Sequence, residues 1–78
     1  MNEQQILEAI QLSLNKTIKK EVKVDAKTNL ADGVLDSLDS FQFFLELEKL
    51  TGVEFPDEDL DDFFHTDRII EFVAENAS

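Results

Sequence analysis

Few residues in this chain are equipped for chemistry. Ser37 stands inside the run Gly33-Val34-Leu35-Asp36-Ser37-Leu38-Asp39, His65 is the sole histidine, and Asp57, Glu58, Asp59, Asp61 and Asp62 crowd one short stretch. A nucleophilic serine acting alone needs a base that is itself held by a third group. One histidine, with no Gly-x-Ser-x-Gly elbow, offers little support for that, so the pattern argues against an intrinsic hydrolase. A calcium loop begun at Asp57 requires glycine at its sixth position and a bidentate glutamate at its twelfth, where this chain has Asp62 and Arg68. A zinc site would need His65 plus carboxylates without a helical histidine partner. No specific metal site is therefore expected; the acidic stretch reads as a solvated turn and His65 as a helix start or a partly buried aromatic. By local pattern alone Ser37 is a helix-start residue, because Ser and Asp are the usual residues there.

Three apolar-periodic segments position these groups. Ile6, Leu7, Ile10, Leu14 and Ile18 recur three or four apart behind an Asn2–Gln5 capping pair, which predicts a first helix over roughly residues 3 to 19. From Lys20 to Leu35 the helical period is lost. Val22 and Val24 alternate, but no second strand exists to pair with them, so the segment reads as a long ordered loop anchored by Val22, Val24, Leu30, Val34 and Leu35. The second helix opens at Asp36 and runs to about Thr51, with Gly52 just beyond its end. Phe43, Phe44, Leu47 and Leu50 occupy one face of it; Leu38, Phe41 and Leu45 occupy another, more apolar surface than so small a chain can cover. After Val53 to Phe55 and Pro56 comes the acidic turn Asp57 to Asp62, then a short helical turn at Phe63 to His65. A last helix carries Ile69, Ile70, Phe72 and Val73. The expected fold is all-α: an antiparallel bundle of three long helices and one short one. Ile6, Ile10, Leu14, Phe43, Leu47, Ile69, Ile70 and Val73 form its core, and Leu30 is buried under the loop.

Length and charge narrow the function classes. Seventy-eight residues allow a single domain, 1–78, and the absence of cysteine removes disulfides and thiolate metal sites. The longest apolar run is Phe43 to Leu45 and residues 1–5 are polar, so neither a membrane span nor a secretory signal is expected, and the location is expected to be cytoplasmic. Seven Lys and Arg against eighteen Asp and Glu give a net charge of -11. Residues 1–31 hold five basic and four acidic groups; residues 32–78 hold two and fourteen. Such a surface repels nucleic acid and suits a basic protein partner, while 42% apolar residues, periodically placed, distinguish the chain from a disordered acidic tail.

The Gly33–Asp39 run stands with Leu30 upstream. Leu47-Glu48, Gly52-Val53-Glu54-Phe55-Pro56-Asp57-Glu58 and Ile69-Ile70-Glu71-Phe72-Val73 follow downstream, and together these resemble the acyl carrier protein family over essentially the whole chain. The resemblance implies that Ser37 receives 4'-phosphopantetheine from coenzyme A through a phosphopantetheinyl transferase and carries cargo as a thioester on that arm. It further implies that the chain is a carrier and not an enzyme. Asp36 would cap the helix and orient the transferase, and the positive helix end, with the hydroxyl facing solvent, would help accommodate a phosphodiester. Gly33 would give the turn its backbone freedom. Leu38, Phe41 and Leu45 would form an apolar docking stripe rimmed by Asp36, Asp39, Glu46 and Glu48.

Val34-Leu35 before Asp-Ser is similar to D-alanyl carrier proteins and specialised free-standing carriers. Three readings stand open. The first is an acyl carrier in fatty acid, lipid or specialised metabolite synthesis, monomeric and served by ligases, synthases or transferases with basic docking surfaces. The second is an aminoacyl carrier, D-alanyl or peptidyl in type, loaded by an adenylating ligase. The third is an unmodified helical interaction module.

Overall fold

The side chain of Asn2 starts the first element by exchanging hydrogen bonds with Gln5. The Gln5 amide donates to Asn2 Oδ1 at 2.8 Å, and the Asn2 amide donates to Gln5 Oε1 at 3.0 Å. This capping box satisfies two donors that a helix start leaves open. In the computed structural model, which describes residues 2–18, 22–32 and 34–76 (the side chains of Ser37 and of residues 57–59 excepted), it opens helix α1, Glu3–Thr17. The helix stops short of the expected residue 19. Ile18 turns to extended backbone while its amide still bonds to Leu14 O at 2.9 Å. Lys19 and Lys20 lie outside the described residues.

Helix α2 spans Ser37–Thr51 and ends on Gly52 at φ 72°, a left-handed conformation that costs glycine no Cβ clash. A 3₁₀ helix, Asp57–Phe64, follows, and then helix α3, Thr66–Asn76. The 3₁₀ helix takes in the whole acidic stretch that the sequence suggests is a turn. Its apolar residues explain why: Leu60, Phe63 and Phe64, spaced at helical intervals, all pack on the core. Phe55 is the hub of that packing, with ring centroids 5.5 Å from Phe44, 5.3 Å from Phe63 and 5.2 Å from Phe72.

The core joins Ile6, Ile10 and Leu14 of α1 to Phe43, Phe44 and Leu47 of α2 and to Ile69 and Val73 of α3, with Leu30 and Leu35 of the loop inserted among them. Two residues depart from expectation. Ile70 is half-buried at the rim of the core. Leu50 is 41% exposed, because in the last turn of α2 it faces an open groove shared with Leu12 and Glu8 of α1. No strand forms among the described residues; the loop's one β contact is an isolated bridge between Asn29 and His65.

The described residues of the loop are held by polar anchors as well as by leucines. Gln11 of α1 clamps its beginning, donating to Val22 O at 2.7 Å and accepting from the Val24 amide at 3.0 Å. Its other end is tied to the junction of the 3₁₀ helix and α3. There the amide and hydroxyl of Thr66 both donate to Thr28 O, at 3.0 and 2.8 Å, and the Leu30 amide donates to Phe64 O at 2.7 Å.

Candidate functional site

The chain reaches the start of α2 through a closed turn in which the Leu35 amide donates to Leu30 O at 2.9 Å and the Leu35 side chain is buried. Asp36 then caps the helix: its Oδ1 accepts from the Asp39 amide at 2.8 Å, and its carbonyl accepts from the Ser40 amide at 2.9 Å. Ser37 is the first helical residue. Its own amide and that of Leu38 fall in the first turn, where the helix supplies no acceptor and the positive end of the dipole lies. Asp36 and Leu38 on either side of it are exposed. The orientation of the Ser37 hydroxyl and the backbone of Gly33 lie outside the described residues.

Below Ser37 the second apolar face of α2 is uncovered. Leu38 is 83% exposed, Phe41 59% and Leu45 46%, whereas Phe43 and Leu47 on the opposite side are buried, as is Phe44 between the two faces. The stripe borders a cleft of about 30 Å³ lined by Phe41, Phe44, Leu45, Glu48, Phe55 and Leu60. Leu60 joins this edge from the 3₁₀ helix, a placement the sequence pattern did not signal.

The four acidic residues expected as a rim are not equivalent. Asp36 is spent on the cap, while its exposed position keeps it at the surface. Asp39 is half-buried beside the stripe. Glu46 turns toward α1: it pairs with Lys16 at 3.8 Å and Lys49 at 3.6 Å and accepts from Gln42 at 3.2 Å, with 16% of its side chain exposed. Glu48 reaches past the end of its own helix, and its Oε2 accepts from the Phe55 amide at 2.9 Å. Glu46 and Glu48 are therefore engaged with neighbouring elements, whereas Asp36 and Asp39 stand at the head of α2.

His65 marks the boundary between the 3₁₀ helix and α3, with its carbonyl accepting from the Arg68 and Ile69 amides. Its ring is exposed, and among the described residues no group of three or more His, Cys, Asp or Glu side chains converges as a metal site would. No helix among them is long and apolar enough to cross a membrane.

The sequence model of one protein family, described as phosphopantetheine attachment site, matches residues 4–73. No curated protein and no solved structure gives a match.

Proposed function

Because the chain belongs to the phosphopantetheine attachment-site family, whose members carry 4'-phosphopantetheine covalently on a serine, we propose that Ser37 is that serine and that the protein is an acyl carrier. The observation that carries this reading is the start of α2. A serine occupies the first helical position behind a formed Asp36 cap, between two exposed neighbours and directly above an uncovered apolar stripe. The place fits the group. The exposed neighbours leave room for a long flexible arm, and the positive end of the helix suits a phosphodiester.

Attachment asks little of this chain. The Ser37 oxygen bonds to the phosphorus that bears pantetheine in coenzyme A, the bond from that phosphorus to adenosine 3',5'-bisphosphate breaks, and the serine proton passes to a base of the transferase. Base and metal belong to the transferase, which is why a carrier without a catalytic triad is coherent. Once attached, the arm supplies a thiol for thioester formation and raises the cargo's effective concentration in each partner's active site. Leu38, Phe41 and Leu45 seat the partner, Asp39 and Asp36 face its basic residues, and Glu46 and Glu48 act from behind by fixing α2 to its neighbours. Val34-Leu35 ahead of Asp36 favour an aminoacyl cargo as the second reading, recognised by loading with an adenylating ligase.

Incubation with coenzyme A, magnesium and a broad-specificity transferase, followed by intact mass measurement, tests the assignment. One phosphopantetheine should be gained, and Ser37→Ala should gain none while keeping its helix content. Ser13 and Ser40 are buried and serve as internal controls. Label on either of them, or no label at all, refutes the reading, and the latter result would favour an unmodified interaction module.

A further inference from the structure

The first turn of α2 hangs from the Asp36 cap. Leu38 projects into solvent, Asp39 is half-buried and Ser40 is buried. Its position is set by what precedes it, and that segment is not free. Two hydrogen bonds in series lead from the far side of the fold to the cap: Phe64 O accepts from the Leu30 amide at 2.7 Å, and Leu30 O accepts from the Leu35 amide at 2.9 Å, one residue before Asp36. Thr66 secures the origin of this series. It is fully buried, and it holds Thr28 O with both its amide and its hydroxyl, two residues before Leu30. The hydroxyl contact is tertiary, across 38 residues of chain.

We propose that Thr66 is a positioning residue for the attachment of phosphopantetheine at Ser37: by stapling Thr28 to the start of α3 it fixes the Leu30–Leu35 turn, and through it the cap that presents the serine. The inference rests on the assignment of Ser37 made above. Thr66 would act through Thr28 O and the turn beyond it. Without its hydroxyl, the turn and the first turn of α2 sample displaced arrangements, and a transferase that binds only the ordered one encounters a smaller competent population. The apparent dissociation constant then rises as that fraction falls, while turnover of the bound complex is unchanged. One ordinary hydrogen bond shifts the equilibrium between ordered and displaced arrangements about five-fold, which makes about five-fold the upper limit of that rise.

The test is steady-state modification by a phosphopantetheinyl transferase with the carrier as varied substrate. Thr66→Val should raise the KM for the carrier, by up to about five-fold, with kcat unchanged, and Thr66→Ser, which restores the hydroxyl, should return it to the wild-type value. Ile10→Val supplies a comparable loss of stability in α1 without removing a hydrogen bond of the staple, and should leave KM unchanged. Equal KM values for Thr66→Val and wild type, or an equal rise for Ile10→Val, overturn the proposal. Should Thr66→Val fail to fold, Asn29→Ala replaces it. Asn29 is exposed and its Oδ1 accepts from the Ala31 amide at 3.0 Å, within the same stapled segment. A KM rise of two-fold or more supports the inference and an unchanged KM overturns it. A wild-type chain that gains no mass at Ser37 refutes the attachment reading instead, so the two failures are distinct.

Discussion

Replacing Phe41 with alanine separates a docking residue from a core residue in one measurement. Complete burial of a phenylalanine side chain contributes up to about 3 kcal/mol. Phe41 is 59% exposed, so about two-fifths of that, roughly 1 kcal/mol, is what Phe41→Ala should cost the fold. Phe43, two residues away, is fully buried, and the same truncation there should cost about 3–5 kcal/mol. Against a total of about 4–12 kcal/mol for a chain of this length, the first loss lowers the melting temperature by about 4–8 °C, whereas the second approaches the whole stability. A central aromatic anchor in an interface contributes about 2 kcal/mol or more to binding, so Phe41→Ala should leave a phosphopantetheinyl transferase about 30-fold faster. Urea denaturation of both variants, beside dissociation kinetics on an immobilised transferase, supplies the two numbers. A loss of 3 kcal/mol for Phe41→Ala, or an unchanged dissociation rate, would refute the reasoning.

Other residues make equally concrete demands. Glu48→Ala strands the Phe55 amide, which is bonded to Glu48 Oε2, and should cost about 1–3 kcal/mol in denaturation; a neutral result would return Glu48 to the docking rim. The Asp25 carboxyl is held below its ordinary value of 3.8, first by the hydrogen bond from the Lys27 amide and then by that from the Thr28 hydroxyl. Its contribution to stability is therefore complete above the unfolded value and lost as pH falls through the lower folded one, and NMR titration of its carboxyl carbon should give a midpoint below 3.8 that returns to the ordinary value in urea. Fourteen acidic groups among residues 32–78 repel one another across the folded surface, so melting should rise with sodium chloride and further with magnesium. A flat response from low to moderate salt contradicts that account, and a stoichiometric calcium site contradicts the reading of Asp57–Asp62 as a solvated acidic stretch.

What the sequence determined by itself is what a helix encodes locally. Asn2 with Gln5, Asp36 before Ser37, and Gly52 after Thr51 are interactions among residues at most three or four apart, and each forms as its spacing requires. The apolar period on α2 likewise announced two faces, because 100° per residue converts spacing into direction without reference to anything else. Burial of Leu30 was legible too, as one of the apolar anchors, with Val22, Val24, Val34 and Leu35, of the loop. The tertiary structure decided what those faces and side chains meet. Glu48 reads as one more surface carboxylate until Gly52 turns the chain and brings the Phe55 amide to it. Glu46 belongs to α1 as much as to α2 once Lys16 lies opposite. Leu50 shares its helical face with Phe43 and Leu47, yet is left exposed beside the open groove with Leu12. The staple of Thr66 on Thr28 had no signature at all, since a threonine at a helix start looks the same whether its hydroxyl meets water or a carbonyl 38 residues away. Local hydrogen bonds are fixed by separation along the chain, but partners this distant are fixed only when the core closes and sets the loop against the start of α3.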